Sequence, residues 1–162
     1  MKHKIQLAFF SFILAFVAQS CSKDSYNDYT EVSFSKVKGL SLYGDSCYLK
    51  GDNSIDTDYI INTQEEFDLL FDCPGSFTPS INFETHTLLA GSRYIRCIYP
   101  KNAFEKVYLN ESKKELIYNA LFNYDGGCST SFGTIYYHVL ISKHQSDLYN
   151  FKADVEIDYN YN

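Results

Sequence analysis

From Thr85 onward the chain alternates β-branched and aromatic segments with clusters of turn formers. This rhythm limits the fold more than any other feature. The segments are "THTLLAGSRYIRCIY", "FEKVYLN", "KELIYNALFNY", "TIYYHVLIS" and "FKADVEIDY", and between them lie "PKNA", "NESKK", "DGGCSTSFG" and "KHQSDLYN". The last segment alternates cleanly. Phe151, Ala153, Val155, Ile157 and Tyr159 share one face, with Lys152, Asp154, Glu156 and Asp158 on the other, as in a strand between core and water. Consecutive strands joined by short turns predict mostly antiparallel pairing. One helix is legible in "DYIINTQEEFDLLFDCPG", after a short strand at Tyr59 to Ile61. Thr63 can cap its first turn while Glu66, three residues on, completes a capping box. Phe67, Leu70 and Phe71 fall on one helical face away from Glu65, Glu66 and Asp68, and Pro74-Gly75 supplies a stop. The expected fold is α+β and mainly β: a mostly antiparallel sheet, sandwich or open-barrel-like, with one short helix at about 63–72. Aromatic content of 15 Tyr and 13 Phe without Trp fits such pleated, half-buried surfaces.

The N-terminus has the three parts of an export signal. Lys2 and Lys4 are followed by the apolar run Ile5 to Val17, then by the small residues Ala18 and Ser20. The run is shorter than the roughly 20 residues a membrane span needs. "AQSC" resembles a bacterial lipobox, which implies that Cys21 becomes the first mature residue and carries lipid. Gln19 stands where the lipobox usually has a small or aliphatic residue, and Ala18-Gln19-Ser20 also fits an ordinary signal peptidase site. Several acyl chains on Cys21 would anchor the chain firmly to a membrane. "CSKDS" resembles the Lys-then-acid signal that sends Bacteroidetes-type lipoproteins to the cell surface, although one acid alone follows Lys23. A plain linker facing the periplasm is the other reading. The expected organisation is a signal peptide at 1–20, a lipidated N-terminus and polar tether at 21–30, and one globular domain at 31–162.

Removing residues 1–20 takes two of the 14 Lys+Arg and none of the 20 Asp+Glu, which leaves a net charge of −8. Acids spread along the whole chain without a basic cluster argue against nucleic acid as a partner. Beyond Cys21, the cysteines Cys47, Cys73, Cys97 and Cys128 form an even set, read in an oxidising compartment as two disulfides. Three connectivities exist, and the expected one is Cys47–Cys73 with Cys97–Cys128, two pairs that do not cross in sequence. With no C-x-x-C and no matching His spacing, a zinc site is not expected.

The stretch "IINTQEEFDLLFDCPGSFTPSINFETHTLLAG" resembles the core of small exported Bacteroidetes lipoproteins of unknown function. More distantly it resembles the C-terminal domain of the protease-complex subunit PrcB. The shared elements are Ile60-Ile61, the helix from Thr63 to Phe71, Pro79, Ile81-Asn82-Phe83, Thr87-Leu88-Leu89 and the late strand Tyr137 to Lys143. Asn82 stands where Asp is commoner. The resemblance implies a fold and a compartment, and transfers no catalytic residue.

Three constellations bear on chemistry. In "DGGCSTSFG" a glycine-flanked Cys128 has Asp125 nearby and His138 ten residues later, the parts a thiolate nucleophile needs. A disulfide-bonded turn cysteine and a strand histidine account for the same residues. In "DNSIDTD", Asp52, Ser54, Asp56 and Asp58 recur at every second position as calcium ligands do. Thr57 replaces the glycine of such a loop and Thr63 its bidentate Glu, which favours an acidic solvated loop. Third, the tyrosines and phenylalanines of "IYYHV" and "YNYN" could line a sugar-stacking surface, or simply fill the core. The expected function is therefore a non-enzymatic binding module of the cell envelope. It would be attached to the outer membrane through Cys21, take a protein or glycan ligand, and use no cofactor or metal. A cysteine-dependent enzyme or redox protein using Cys128 is the alternative.

Overall fold

A computed structural model describes residues 26–40, 47–51, 55–74, 79–96, 101–124, 132–143 and 148–159. Two four-stranded sheets lie face to face. The first has the order β1 (Thr30–Val32), β7 (Lys101–Asn110), β8 (Glu115–Asn123), β10 (Asn150–Asp158). The second has the order β2 (Phe34–Ser35), β9 (Phe132–Ser142), β6 (His86–Arg96), β4 (Thr57–Ile61). Between them Val107, Leu109, Leu116, Tyr118 and Phe122 of the first sheet meet Leu89, Ile135, Tyr137, Val139 and Ile141 of the second.

The second sheet is also covered on its far side. The helix α1 (Gln64–Leu70) and the small ribbon β3 (Tyr48–Leu49) with β5 (Phe71–Asp72) bring Phe67, Leu49 and Phe71 down on Ile61, Leu88 and Ala90. That layering explains two different sequence patterns. β6 is buried on both faces and reads as the unbroken run Thr87 to Ser92, whereas β10, with one face in water, alternates. The fold is thus α+β, mainly β and antiparallel-dominated, and the described strands close no barrel.

The capping box is present: the Glu66 amide donates to Thr63 Oγ1 at 3.1 Å, and the Thr63 amide to Glu66 Oε2 at 3.2 Å. The helix nevertheless ends before Pro74-Gly75. Phe71 is already extended and begins β5, because Leu49 of β3 offers it a ladder partner. Cys47 and Cys73 occupy the next rung of that ladder and are joined as a disulfide, with Cα atoms 4.1 Å apart. Cys97 and Cys128, the other expected pair, lie outside the described residues, as does Cys21.

Two expectations change. Among the long strands, β7–β8 is the one hairpin within a sheet, built on an Asx turn in which Asn110 Oδ1 accepts from Ser112 Oγ and the Lys113 amide. The β8–β9 and β9–β10 connections cross between sheets, so β10 returns parallel to β8 over nine residues. Within the stretch 21–30 expected as a tether, Tyr26–Asp28 form a 3₁₀ turn docked on the first sheet and Thr30 opens β1, while 21–25 lie outside the described residues.

Candidate functional site

β6 points Leu89, Gly91, Arg93 and Ile95 toward the first sheet, so Arg93 is carried into the space between the sheets. A guanidinium there needs an anion. Asp58 of β4 supplies it, with Arg93 Nη1 and Asp58 Oδ1 2.7 Å apart. The pair also grips the edge strand β10. The Ala153 amide donates to Asp58 Oδ2 at 3.1 Å, and Arg93 Nη2 donates to the Ala153 carbonyl at 2.8 Å. Side chains of one sheet thereby occupy the open backbone edge of the other, as a neighbouring strand would.

Tyr137 completes the group. Its ring crosses Gly91, where a Cβ would lie 2.1 Å from both its hydroxyl and the Thr57 carbonyl. The hydroxyl donates to Asp58 and receives Arg93 Nη1 at 3.2 Å. Burial raises the Asp58 carboxyl, but the bonds from Arg93, Tyr137 and the Ala153 amide outweigh it and hold the group below its ordinary value. Burial, with the hydrogen bond to Asp58, pushes the Tyr137 phenol well up. Tyr137 stacks on Tyr118, centroids 4.7 Å apart. Tyr118 in turn donates to Glu105, which also pairs with Lys36. Every ionisable group in this chain of contacts has its partner, and the chemistry it performs is attachment of one sheet to the other.

The outer surfaces are different. On the first sheet Tyr26 stacks on Tyr108 at 4.7 Å, its hydroxyl donates to Asp154 at 2.6 Å, and Tyr29 donates to Glu115. Clefts flank Tyr26 on either side. One of about 450 Å³ lies among Tyr29, Lys113, Asn150 and Lys152, and one of about 400 Å³ among Phe104, Asn119, Leu121 and Glu156. On the far face of the second sheet a third cleft of about 200 Å³ is bordered by Thr57, Tyr59, Ser92 and Tyr136. Beyond it Tyr94 and Phe132 lie parallel and exposed.

Of the residues singled out from sequence, Cys128, Asp125, Asp52 and Ser54 lie outside the described residues. His138 is 5% exposed on β9, and burial beside Lys36 holds its imidazole down to about 4. Asp56 accepts from the Tyr94 amide at 2.8 Å, and Asp58 belongs to the Arg93 pair, so these two act as strand-edge residues. Among the described residues no three His, Cys, Asp or Glu side chains gather as a metal site would require. Arg93, Tyr137 and Glu105 were not anticipated. Their signal was parity: Arg93 sits at the same phase as Leu89 and Ile95, which makes it an inward charge in need of a partner. Comparison of the chain with protein-family models, curated proteins and solved structures finds no match.

Proposed function

We propose that this chain is an exported lipoprotein of the cell envelope, held to the outer membrane by lipid on Cys21, and that its domain is a non-enzymatic binding module. The reading places it with the small Bacteroidetes lipoproteins that the strand–helix core resembles. One observation carries it. The charged groups where the sheets meet, Asp58, Arg93, Glu105 and Lys36, are paired in joining them, while polar and aromatic clefts stay open on both outer faces.

The docking of Tyr26 limits how far such an anchor would let the domain stand from the membrane. The five Cα steps from Cys21 to Tyr26 reach at most about 18 Å, so a lipid on Cys21 would keep the first sheet near the bilayer and turn the far face of the second sheet outward. The decisive experiment counts free thiols in the purified, unreduced exported protein. Zero free thiols is the expected result. A free, rapidly alkylated Cys128 would overturn it in favour of a cysteine enzyme. Palmitate labelling that survives Cys21→Ser would remove the lipid anchor from the reading.

A further inference from the structure

We infer that the cleft walled by Tyr26 and Tyr29 on the first sheet takes the phosphate of a membrane-lipid headgroup, held by the ammonium groups of Lys113 and Lys152. This rests on the lipoprotein reading and adds a second contact with the same membrane. The cleft has a volume of about 450 Å³, with buried Ile117 as its floor and both lysines among its walls. Its charges are arranged to leave cations over, in a chain with 14 Lys+Arg against 20 Asp+Glu. Three carboxylates stand around it, and a phenol occupies each. Tyr29 donates to Glu115, Tyr26 to Asp154 at 2.6 Å, and Tyr149 to Glu111 at 2.6 Å. Glu111 also holds Lys114 at 3.2 Å. Lys113 and Lys152 are exposed and pair with no carboxylate among the described residues, and Lys113 lies 5.3 Å over the Tyr29 ring. An anion from outside completes such a pair.

The tether selects the anion. Cys21 lies at most about 18 Å from Tyr26, and Tyr26 is a wall of the cleft. A lipid on Cys21 therefore brings the cleft to headgroup level, where the phosphate is the anion that every phospholipid presents. A polyanion fits less well. Beyond the cleft the same face carries exposed Asp154 and Glu156, which confine the attraction to one small group rather than an extended chain of phosphates.

The test is sedimentation with vesicles of the exported chain carrying Cys21→Ser, so that no acyl chain of its own contributes. The vesicles are phosphatidylcholine alone, or phosphatidylcholine mixed equally with phosphatidylglycerol. The chain should sediment with the mixed vesicles in preference to the neutral ones, and high salt should release it. Lys113→Ala with Lys152→Ala should weaken that partitioning about thirtyfold, whereas Lys113→Arg with Lys152→Arg should retain it. Lys38→Ala with Lys50→Ala removes the same charge beside the outer core of the second sheet and should leave binding unchanged. Lys113 and Lys152 are exposed, so the thermal midpoint of their alanine pair should match the parent, which separates lost binding from lost folding. Equal sedimentation with the two kinds of vesicle would overturn the proposal, as would equal loss in the two alanine pairs. A chain that binds soluble glycerol phosphate and ignores both vesicles would give the cleft to a free phosphate ester and overturn the headgroup. Neither acylation nor the thiol count enters this assay, so its failure is distinguishable from failure of the lipoprotein reading.

Discussion

The two cores of this domain, on opposite faces of the second sheet, are secured by opposite means. Between the sheets, the corner where β4 approaches β10 is closed by a charged pair and a tyrosine, with backbone groups of Ala153 as the substrate of the grip. On the far side, a small apolar core of Leu49, Phe67, Phe71 and Leu88 is roofed by seven helical residues and two very short strands. A cover that short cannot hold itself down through burial alone, and there the Cys47–Cys73 bond fixes it. The larger core can use reversible polar contacts because eight strands already define its walls.

The strongest way to break this arrangement is Gly91→Ala. The added Cβ would meet the Thr57 carbonyl of the neighbouring strand as well as the Tyr137 hydroxyl. A side chain can swing aside, but a paired backbone carbonyl cannot. We expect a loss of about 4 kcal/mol or failure to fold, read from the urea midpoint. A shift below about 1 kcal/mol would mean that the Thr57 carbonyl does not lie against Gly91.

The next two changes set the cores against each other. Cys47→Ala with Cys73→Ala should cost about 3 kcal/mol through the reopened loop of sequence separation 26. Hydrogen exchange should rise first in β3, α1 and β5 while β7 and β8 stay protected. Asp58→Ala should cost about 2.5 kcal/mol, less than a fully buried pair because both partners are partly exposed. Its exchange signature should be the reverse: the Ala153 amide opens while the disulfide-bonded ribbon is unaffected. Identical exchange patterns in the two variants would show one cooperative core rather than two.

Much of this division could be read from the chain, and the exceptions have a common cause. The capping box at Thr63 and Glu66 and the alternation of β10 depend on residues close in sequence, and both stand as expected. The parallel pairing of β10 with β8 was missed because turn formers before and after β9 look alike whether the next strand pairs in the same sheet or crosses to the other. Pro74-Gly75 looked like the helix stop because the competing ladder partner, Leu49, lies far back in the chain. The polar grip was hidden for the same reason. Asp58 looked like one of a row of loop acids, and its role depends on Arg93 and Ala153, both distant in sequence.

The smallest predicted effect concerns the seam between the cores. His138 lies on the ribbon side of β9, its carbonyl receives Lys36 Nζ at 3.2 Å, and Lys36 itself reaches through to Glu105 of the first sheet. Burial first, and the positive Lys36 second, bring the His138 imidazole from 6.5 down to about 4 against the opposing pull of Glu105 and a backbone bond at Val37. The unfolded chain therefore binds a proton that the folded chain refuses. Stability contributed by the neutral ring is complete above pH 6.5, falls as the pH drops below that value, and levels off near pH 4. Between pH 8 and pH 5 the loss amounts to about 2 kcal/mol. Asp58 adds nothing in that window, because its lowered carboxyl gives up stability only below the ordinary value of 3.8. His138→Gln should start from a lower midpoint at pH 8 and then hold it nearly level down to pH 5, whereas the parent declines. A parallel decline in both proteins would assign the acid sensitivity elsewhere, and a parent midpoint flat from pH 8 to pH 5 would mean that the ring is open to water.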